Sequence, residues 1–381
     1  MEGLSLLITS VGSAVAQAIL DVLDYPSCSR RALIRLVGTN SVVDAPSNFR
    51  CNTCYLVPET LAADYPARIC EILRAEKPDL ILCGRDADTF ALAELKESDP
   101  TLPGALPIGS ARAALIGNDK WQTFLFARRH KLPFADSFAP GESGGGAALA
   151  EFCRRVGYPL VAKPRSGFAS RGVYFVRNAE DAETMARPDY VLQEYLGDSR
   201  ELEQYFASLV GPVPLFTQAP NPAHHSGWTM ITPDGALAPI MVTGQTMLNG
   251  AASATSLVDS PDLQSILTAY ARALFAEGGT GPLNVGFRRD RDGTWSVLEI
   301  NLRNTGSTLS RFILGLDELY HIVQAFAPGF DFPEMRPLSD ETPKLIRRLY
   351  FSHPLHEEAM STLKKSGVWL DAAATERPPT Q

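Results

Sequence analysis

Apolar stretches with the spacing of strands alternate with amphipathic stretches along the first part of the chain. LSLLITSVGSAVAQAILDVL predicts a strand, a tight turn and a helix, and RALIRLVGTN contains a second apolar strand. The segment from Tyr65 to Lys77 has helical periodicity, and PDLILCG predicts a buried strand that ends at Gly84. This alternation predicts a parallel, doubly wound, Rossmann-like sheet.

The turn after the first predicted strand, TSVGSAVA, is only partly typical of dinucleotide binding. It lacks the first glycine of the G-x-G-x-x-G pattern, and no Asp or Glu directly follows LVGTN, where a ribose-binding acid would stand. We therefore expect a Rossmann-like sheet that does not bind a nicotinamide cofactor.

A proline-rich break, DPTLPGALP over residues 99–107, separates this region from a part of mixed pattern. A helical stretch over Ala111–His130 and the hairpin LVAKPRSGFASRGVYFV over 160–176 follow it. Strand-like segments with many turns run from Pro212 to Val258, and NVGFRRDRDGTWSVLEINLR predicts another hairpin. The chain is therefore predicted to combine α/β and α+β regions.

The hairpin at 160–176 has more positive charge than a structural turn requires. Lys163, Arg165 and Arg171 surround a loop of small residues from Ser166 to Gly172. Backbone N–H groups of such a loop can approach phosphate oxygens closely, and a lysine on the entering strand can reach the same oxygens. The pattern is not a Walker loop, because the loop joins two strands. Solvated hairpin charges are the alternative.

Further polar residues follow in an order that suits a nucleotide. The apolar strand VLQEYL, over 191–196, ends in a polar segment with Glu201, and SVLEINLRNTGS places Glu299 and Asn301 on one face of a strand. Oxygen ligands of this kind suit Mg²⁺ on nucleotide phosphates. Arg303, two residues on, is placed to meet a developing negative charge.

This ordered set, from about residue 4 to residue 315, resembles the ATP-grasp family, in particular its carbamoyl-phosphate-synthase-like and biotin-carboxylase-like branch. The resemblance implies a Rossmann-like N-terminal domain followed by two α+β lobes that clamp ATP. We expect the N-terminal domain at 1–108, a small lobe with the phosphate lid at 109–187, a large lobe with the metal and substrate site at 188–330, and a C-terminal extension at 331–381.

The resemblance also implies roles for individual residues. Lys120 and Lys163 would contact the α- and β-phosphates, and Ser166, Gly167 and Gly172 would belong to the lid. The adenine hinge would be Gln193, Glu194, Tyr195 and Leu196, with Glu201 at the ribose. Glu299 and Asn301 would bind Mg²⁺, with Mn²⁺ as the alternative ion, and Arg303, Lys163 and Arg171 would be catalytic.

Four positions depart from the family pattern. Phe168 and Ala169 interrupt a lid that is usually richer in glycine, and Leu302 replaces a proline. Gly286 stands where the family has an acid or Gln that binds metal. This last departure leaves one metal ligand unaccounted for and leaves the number of metal ions open.

The leading functional hypothesis is an ATP-dependent carboxylate–amine ligase that works through an acyl phosphate and releases ADP. One alternative uses bicarbonate as the carboxylate, and another is a nucleotide-binding module that has lost catalysis at Gly286. The expected partners are a small-molecule carboxylate and an amine. Family members are often dimers, so a homodimer and a monomer both stay open.

Composition and the remaining motifs limit other functions. The net charge of −8 argues against nucleic-acid binding, and no apolar run reaches the roughly 18 residues of a membrane span. The N-terminus has no basic segment of a signal peptide, and the lone pair Cys51–Cys54 fits reduced thiols, so we expect a cytoplasmic protein. His224 and His225 are either a polar surface pair or a pair that binds substrate or metal. The sequence does not decide whether Gln245 faces the active site. The run 288–292 is predicted to be a solvated hairpin tip.

Overall fold

The computed structural model describes residues 3–26, 29–167, 170–209, 219–220, 223–248, 250–335, 345–349 and 355–371. The lid residues Phe168 and Ala169, part of the 212–258 region and the tail after Asp371 lie outside these ranges.

The described residues form fifteen strands and twelve α-helices. In chain order they are β1 (Leu4–Ile8), α1 (Ala14–Leu23), β2 (Ile34–Asn40), β3 (Thr53–Leu56), α2 (Tyr65–Glu76), β4 (Leu80–Leu82), α3 (Asp86–Ser98), α4 (Ala111–Asn118), α5 (Lys120–Arg129), β5 (Ser137–Phe138), α6 (Gly146–Val156), β6 (Leu160–Pro164), β7 (Tyr174–Val176), α7 (Ala179–Thr184), β8 (Tyr190–Glu194), α8 (Ser199–Ser208), β9 (His224–Ile231), β10 (Met241–Leu248), β11 (Ala251–Leu257), α9 (Pro261–Ala276), β12 (Gly281–Arg289), β13 (Trp295–Asn301), α10 (Thr308–Ile313), α11 (Glu318–Phe326), β14 (Ile346–Arg347), α12 (Glu357–Ser366) and β15 (Val368–Leu370).

The first sheet has the order β15-β3-β2-β1-β4, and β1 to β4 are parallel as the sequence predicts. Side chains of β1 alternate between two cores: Leu6 packs on one face of the sheet and Leu7 on the other. Because both faces of the sheet are buried, the sequences of these strands are almost continuously apolar. The C-terminal strand β15 joins the edge in antiparallel pairing with β3.

Two antiparallel sheets follow. The smaller one has the order β5-β8-β6-β7, and the larger one has the order β13-β12-β9-β10-β11-β14. Helix α9 packs on the larger sheet, where Leu267 and Leu274 meet Val285 and Phe287 in one core. Among the described residues, no helix is long and apolar enough to cross a membrane.

The helical stretch predicted over 111–130 is broken at Asp119. The backbone of Asp119 is extended, and its side chain accepts hydrogen bonds from the N–H groups of Trp121 and Gln122, at 2.8 and 3.4 Å, so a new helix begins at Lys120. Helix α5 joins the two antiparallel sheets. Phe126 packs in the core of the larger sheet, while Trp121 packs beside the smaller one.

The segment after β13 returns to the N-terminal domain. Phe312 of α10 and Leu319 of α11 lie in the same core as Ile19 of α1. An ion pair reinforces this contact: Arg30 Nη1 donates to Asp317 Oδ1 at 2.9 Å, and the two side chains are 0% and 2% exposed. Asp317 also accepts from the backbone N–H of Tyr320 at 3.1 Å, so the same carboxylate begins helix α11.

We expect Asp317→Asn to lower the stability of the fold by about 3–5 kcal/mol, because it leaves the guanidinium of Arg30 buried without an opposite charge. Chemical denaturation would measure the change. Glu71→Gln is the matched control, because Arg68 and Glu71 form an exposed pair and such pairs contribute about 0–1 kcal/mol. Adding Arg30→Met to Asp317→Asn should recover part of the loss. Equal effects of Asp317→Asn and Glu71→Gln would contradict the role of this pair.

Candidate active site

A cavity of about 330 Å³ lies between the smaller and the larger antiparallel sheet. This volume is within the range of small-molecule sites. Its wall contains nine of the residues that the sequence singles out: Lys120, Lys163, Gly167, Arg171, Gln193, Glu194, Tyr195, Leu196 and Glu299. Residues from distant parts of the sequence therefore meet at one place.

Lys163 lies on β6 and reaches across to the neighbouring strand β8. Its ammonium donates to Gln193 Oε1 at 2.5 Å, and Gln193 Nε2 donates to Ser137 Oγ at 3.2 Å. The side chain of Gln193 thus orients the lysine. Burial lowers the pKa of Lys163 to about 7, and the charges of Lys120 and Arg288 add to this, while Glu299 opposes it.

Lys120 is held at the cavity by its position as the first residue of α5. Its N–H donates to the Arg165 carbonyl at 2.9 Å, and Arg165 Nη2 donates to Asp119 Oδ2 at 2.7 Å. Arg165, on the hairpin of β6, therefore fixes the start of the helix. Burial lowers the pKa of Lys120, while Glu299 acts in the opposite direction.

The loop between β6 and β7 closes one side of the cavity. Gly167, Ser170 and Arg171 line it, whereas Ser166 is not part of the cavity wall. Gly172 has a φ of +68°, a left-handed conformation that favours glycine. A Cβ atom there would lie 3.1 Å from Pro164 Cγ and from the Tyr190 hydroxyl. Close approach to β6 and β8 is a second reason for glycine at this position.

The hinge segment follows directly from β8. The pairing of β6 with β8 ends at Leu160 and Glu194, so the backbone of Tyr195 and Leu196 lies beyond the ladder, where it can meet a ligand edge. Apolar side chains form the walls beside it, namely Val161, Phe175, Leu196, Met247 and Leu298. A flat apolar slot next to backbone polar groups suits a heteroaromatic ring.

Glu201 lies in the first turn of α8 and is exposed. It is not part of the cavity wall. The structure thus does not bring Glu201 together with the lysines, although it lies only five residues after Leu196 in the sequence.

Glu299 is the carboxylate at the centre of the cavity. A β-bulge sets its direction: Gly286 pairs with Glu299 and Phe287 pairs with Val297, so Leu298 is an extra residue on β13. Leu298 and Glu299 consequently both face the cavity. Burial alone would raise the pKa of Glu299, but Lys163, His224 and Lys120 outweigh it and hold the pKa below its usual value.

Gly286 leaves a space that a histidine fills. A Cβ atom at Gly286 would lie 3.2 Å from both Glu299 Cγ and His224 Cε1. His224, the first residue of β9, is 7% exposed, and among the described residues its Nδ1 has no hydrogen-bond partner. Burial and the charge of Arg288 lower the pKa of His224 to about 4, so the imidazole is neutral at physiological pH.

Asn301 and Arg303 are not part of the cavity wall and lie beside the start of α3. Arg303 Nη2 donates to Asn301 Oδ1 at 2.9 Å and also contacts Asp86 at the start of α3. Glu299 and Asn301 border a gap of about 20 Å³ that Asp86 and Asn118 complete. Within the described part of the chain, Asn118 Oδ1 is buried without a partner.

These oxygens fit a hard divalent cation that also contacts phosphate. No group of three or more His, Cys, Asp or Glu side chains among the described residues is placed to hold a metal ion. A Mg²⁺ ion at Glu299 and Asn301 would therefore need further oxygens from nucleotide phosphates and water, as is usual for Mg²⁺ in nucleotide sites. Glu299 and Lys120 both border the cavity and the small gap, so an ion at Glu299 would lie next to the ammonium of Lys120.

One sequence-based interpretation is wrong. Arg288 was expected at a solvated hairpin tip, but β12 extends to Arg289 and Arg288 lines the cavity. Because side chains alternate along β12, Arg288 lies on the same face as Gly286, whereas Phe287 is in the core. The alternation of side chains along a strand could have predicted from the sequence that Arg288 faces the same side as Gly286. Burial lowers the pKa of Arg288, with Tyr195 and Glu299 opposing.

The other undecided motifs lie outside the cavity wall. The side chain of Gln245 donates to Ser307 Oγ at 3.1 Å, and the ring of His225 meets Trp295 with centroids 4.8 Å apart. Cys51 and Cys54 are buried free thiols, and their mutual hydrogen bond with burial raises the pKa of Cys54. A raised pKa does not suit a reactive thiolate.

A larger, more open cleft of about 580 Å³ lies between 197–200 and the hairpin tip at 289–293. Its charged side chains already have partners, because Arg200 pairs with Asp198 and Arg291 donates to the Tyr158 carbonyl at 2.8 Å. The smaller cavity, where buried charges converge, is therefore the better candidate.

Solved enzyme structures share this architecture. The biotin carboxylase domain of 2-oxoglutarate carboxylase from Hydrogenobacter thermophilus, a dimer with MgADP, ADP and bicarbonate, matches with a TM-score of 0.62 and 14% identity, over 87% of this chain and 71% of that chain. N5-carboxyaminoimidazole synthetase from Staphylococcus aureus, complexed with ADP, matches with a TM-score of 0.62 and 12% identity, over 87% of this chain and 79% of that chain.

A third structure is N5-carboxyaminoimidazole synthase from Aspergillus clavatus with ADP and 5-aminoimidazole ribonucleotide. It has a TM-score of 0.60 and 12% identity, over 90% of this chain and 79% of that chain. No protein-family model and no curated protein sequence matches the chain. The combination of α/β and α+β regions predicted from the sequence is thus confirmed, and this chain shares the fold of these ADP- and MgADP-binding enzymes.

We expect binding of an ATP analogue at pH 8 to take up protons, because phosphates favour the charged form of Lys163, whose pKa is about 7 in the free protein. The affinity should be constant below about pH 7 and should fall as the pH rises above it. Calorimetry in buffers of different ionisation enthalpy measures the uptake. Lys163→Arg, which stays charged, should reduce it. No uptake by the native protein, or equal uptake by Lys163→Arg, would contradict this assignment.

Proposed function

We propose that the chain is an ATP-dependent carboxylate–amine ligase that forms an acyl phosphate and releases ADP and phosphate. The observation that carries the proposal is the positive cavity of a protein whose net charge is −8. Lys120 and Lys163 line it and are partly buried, and their hydrogen bonds go to neutral oxygens of Arg165 and Gln193. Cations that are partly removed from water and have neutral partners are costly unless an anion binds, and a nucleotide triphosphate is such an anion.

The adenine would lie in the apolar slot beside Tyr195 and Leu196, and the phosphates would reach Lys120 and Lys163. Arg171 and the loop around Gly167 would cover the phosphates and exclude water. A Mg²⁺ ion, or Mn²⁺ in its place, held at Glu299 and Asn301 would supply charge neutralisation on the phosphate oxygens. The exposed position of Glu201 gives no support to its predicted role at the ribose.

The reaction would place the substrate carboxylate near Arg303. A carboxylate oxygen attacks the γ-phosphorus, ADP leaves, and an acyl phosphate forms. An amine nitrogen then attacks the acyl carbon, loses a proton and displaces phosphate. Arg303, which Asp86 and Asn301 hold at the entrance to the N-terminal domain, would stabilise the negative charge in both steps.

Bicarbonate is the second candidate for the carboxylate. The favourable observation is the fold similarity to a biotin carboxylase domain that was crystallised with MgADP and bicarbonate. Both candidates use the same nucleotide site, and they differ only in the acceptor beside Arg303. A homodimer and a cytoplasmic location stay predictions from the sequence.

We expect ADP and phosphate release from MgATP to depend on one carboxylate and to increase with an amine. The assay uses a panel of amino acids, small acids and bicarbonate, alone and in pairs, and bicarbonate-dependent release would select the second candidate. Lys163→Ala should abolish release because it removes the cation at the phosphates. Lys131→Ala, at an exposed lysine, is the matched control. Equal release by native protein and Lys163→Ala would contradict the proposal, and bound ATP without any release would favour a non-catalytic module.

A further inference from the structure

Gly286, where the family resemblance implies a metal-binding side chain, and the buried imidazole of His224 are neighbours. Gly286 pairs with Glu299 on one side and with Ser226 on the other, so His224 lies diagonally across from Gly286 in the same sheet. The ring atom Cε1 of His224 is 3.2 Å from the position of a Cβ atom at residue 286, and Glu299 Cγ is at the same distance from that position. The ring therefore occupies the space of the missing side chain.

His224 is not explained as a structural histidine. It is 93% buried, since its exposure is 7%, and its Nδ1 has no partner among the described residues. A buried polar atom without a partner destabilises the fold, so a ligand is expected for it. Apolar neighbours do not isolate it, because the side chain lines the cavity together with Glu299. An imidazole with an unpartnered nitrogen and a carboxylate that line the same cavity can together supply two ligands of a metal ion.

We propose that His224 is a ligand of the metal ion that accompanies the nucleotide, in place of the acid that residue 286 lacks, and that the site therefore prefers Mn²⁺ to Mg²⁺. This inference rests on the proposed function. Glu299 and His224 would hold the ion on the cavity side, and nucleotide phosphates would complete its coordination. Mg²⁺ favours oxygen ligands almost exclusively, whereas transition metals accept imidazole, so a nitrogen ligand shifts the choice of metal.

The exchange also bears on the non-catalytic alternative. Loss of the acid at 286 without replacement would leave the metal site incomplete, and an inactive module would follow. A histidine in the vacated space keeps the number of protein ligands and exchanges one carboxylate oxygen for one nitrogen. The net positive charge around the phosphates then increases by one, which suits a tetra-anionic nucleotide.

Pulsed electron paramagnetic resonance of Mn²⁺ bound with a non-hydrolysable ATP analogue tests the ligand directly. The native protein should show coupling of Mn²⁺ to a ¹⁴N nucleus, and ¹⁵N-histidine labelling should change that signal, which separates it from adenine nitrogen. His224→Gln should lose the coupling and weaken Mn²⁺ binding by at least about tenfold. His225→Gln is the matched control, because His225 points to Trp295 outside the cavity, and it should keep the coupling.

A second pair of variants keeps the test independent of folding defects. In His224→Ala with Gly286→Glu, the removed imidazole leaves room for the carboxylate, so Mg²⁺ should bind better relative to Mn²⁺ than in the native protein. Unchanged metal preference in this double variant would overturn the inference. So would a stoichiometric Mn²⁺–nucleotide complex of the native protein without histidine coupling, while the proposed function would stand. Absence of nucleotide binding altogether would instead overturn the proposed function and this inference with it.

Discussion

One partly buried carboxylate, Glu299, organises the charges of the candidate site. Lys163 comes from the smaller sheet, Lys120 from the helix that joins the two sheets, and the neutral imidazole of His224 from the larger sheet. The charges of the two lysines keep the pKa of Glu299 low in spite of burial. The nearby acids, Glu299 for both lysines and Asp86 and Asp119 for Lys120, do not offset burial, which lowers the pKa of both lysines. The imbalance is resolved when a polyanion and a divalent cation enter together.

Much of the fold follows from sequence patterns. The apolar strands at 4–8, 34–40 and 80–82 bury both faces, and the segments around Lys163 and Glu299 form the antiparallel hairpins that the sequence predicts. Most of the residues that the sequence predicts for the nucleotide and metal site line one cavity. This success has a physical basis, because each motif was a polar group on an otherwise apolar element, and such groups are seldom placed there without a ligand or partner.

Other features depend on contacts that local patterns do not record. The bulge at Leu298 interrupts the alternation on β13 and directs two consecutive side chains into the cavity. The pair of Arg30 and Asp317, like that of Arg303 and Asp86, joins residues more than 200 positions apart. The final strand β15 returns to the first sheet, although its sequence resembles an ordinary C-terminal extension. Tertiary contacts decide all of these features.

The central claim is that a nucleotide binds between the two antiparallel sheets. Hydrogen exchange with and without a millimolar non-hydrolysable ATP analogue, in the presence of Mg²⁺ or Mn²⁺, tests this most directly. The account predicts slower exchange in the backbone of residues 163–167, 193–196 and 298–301, with unchanged exchange in the first sheet. Unchanged exchange in all three segments, or protection confined to the open cleft around residues 289–293, would contradict it.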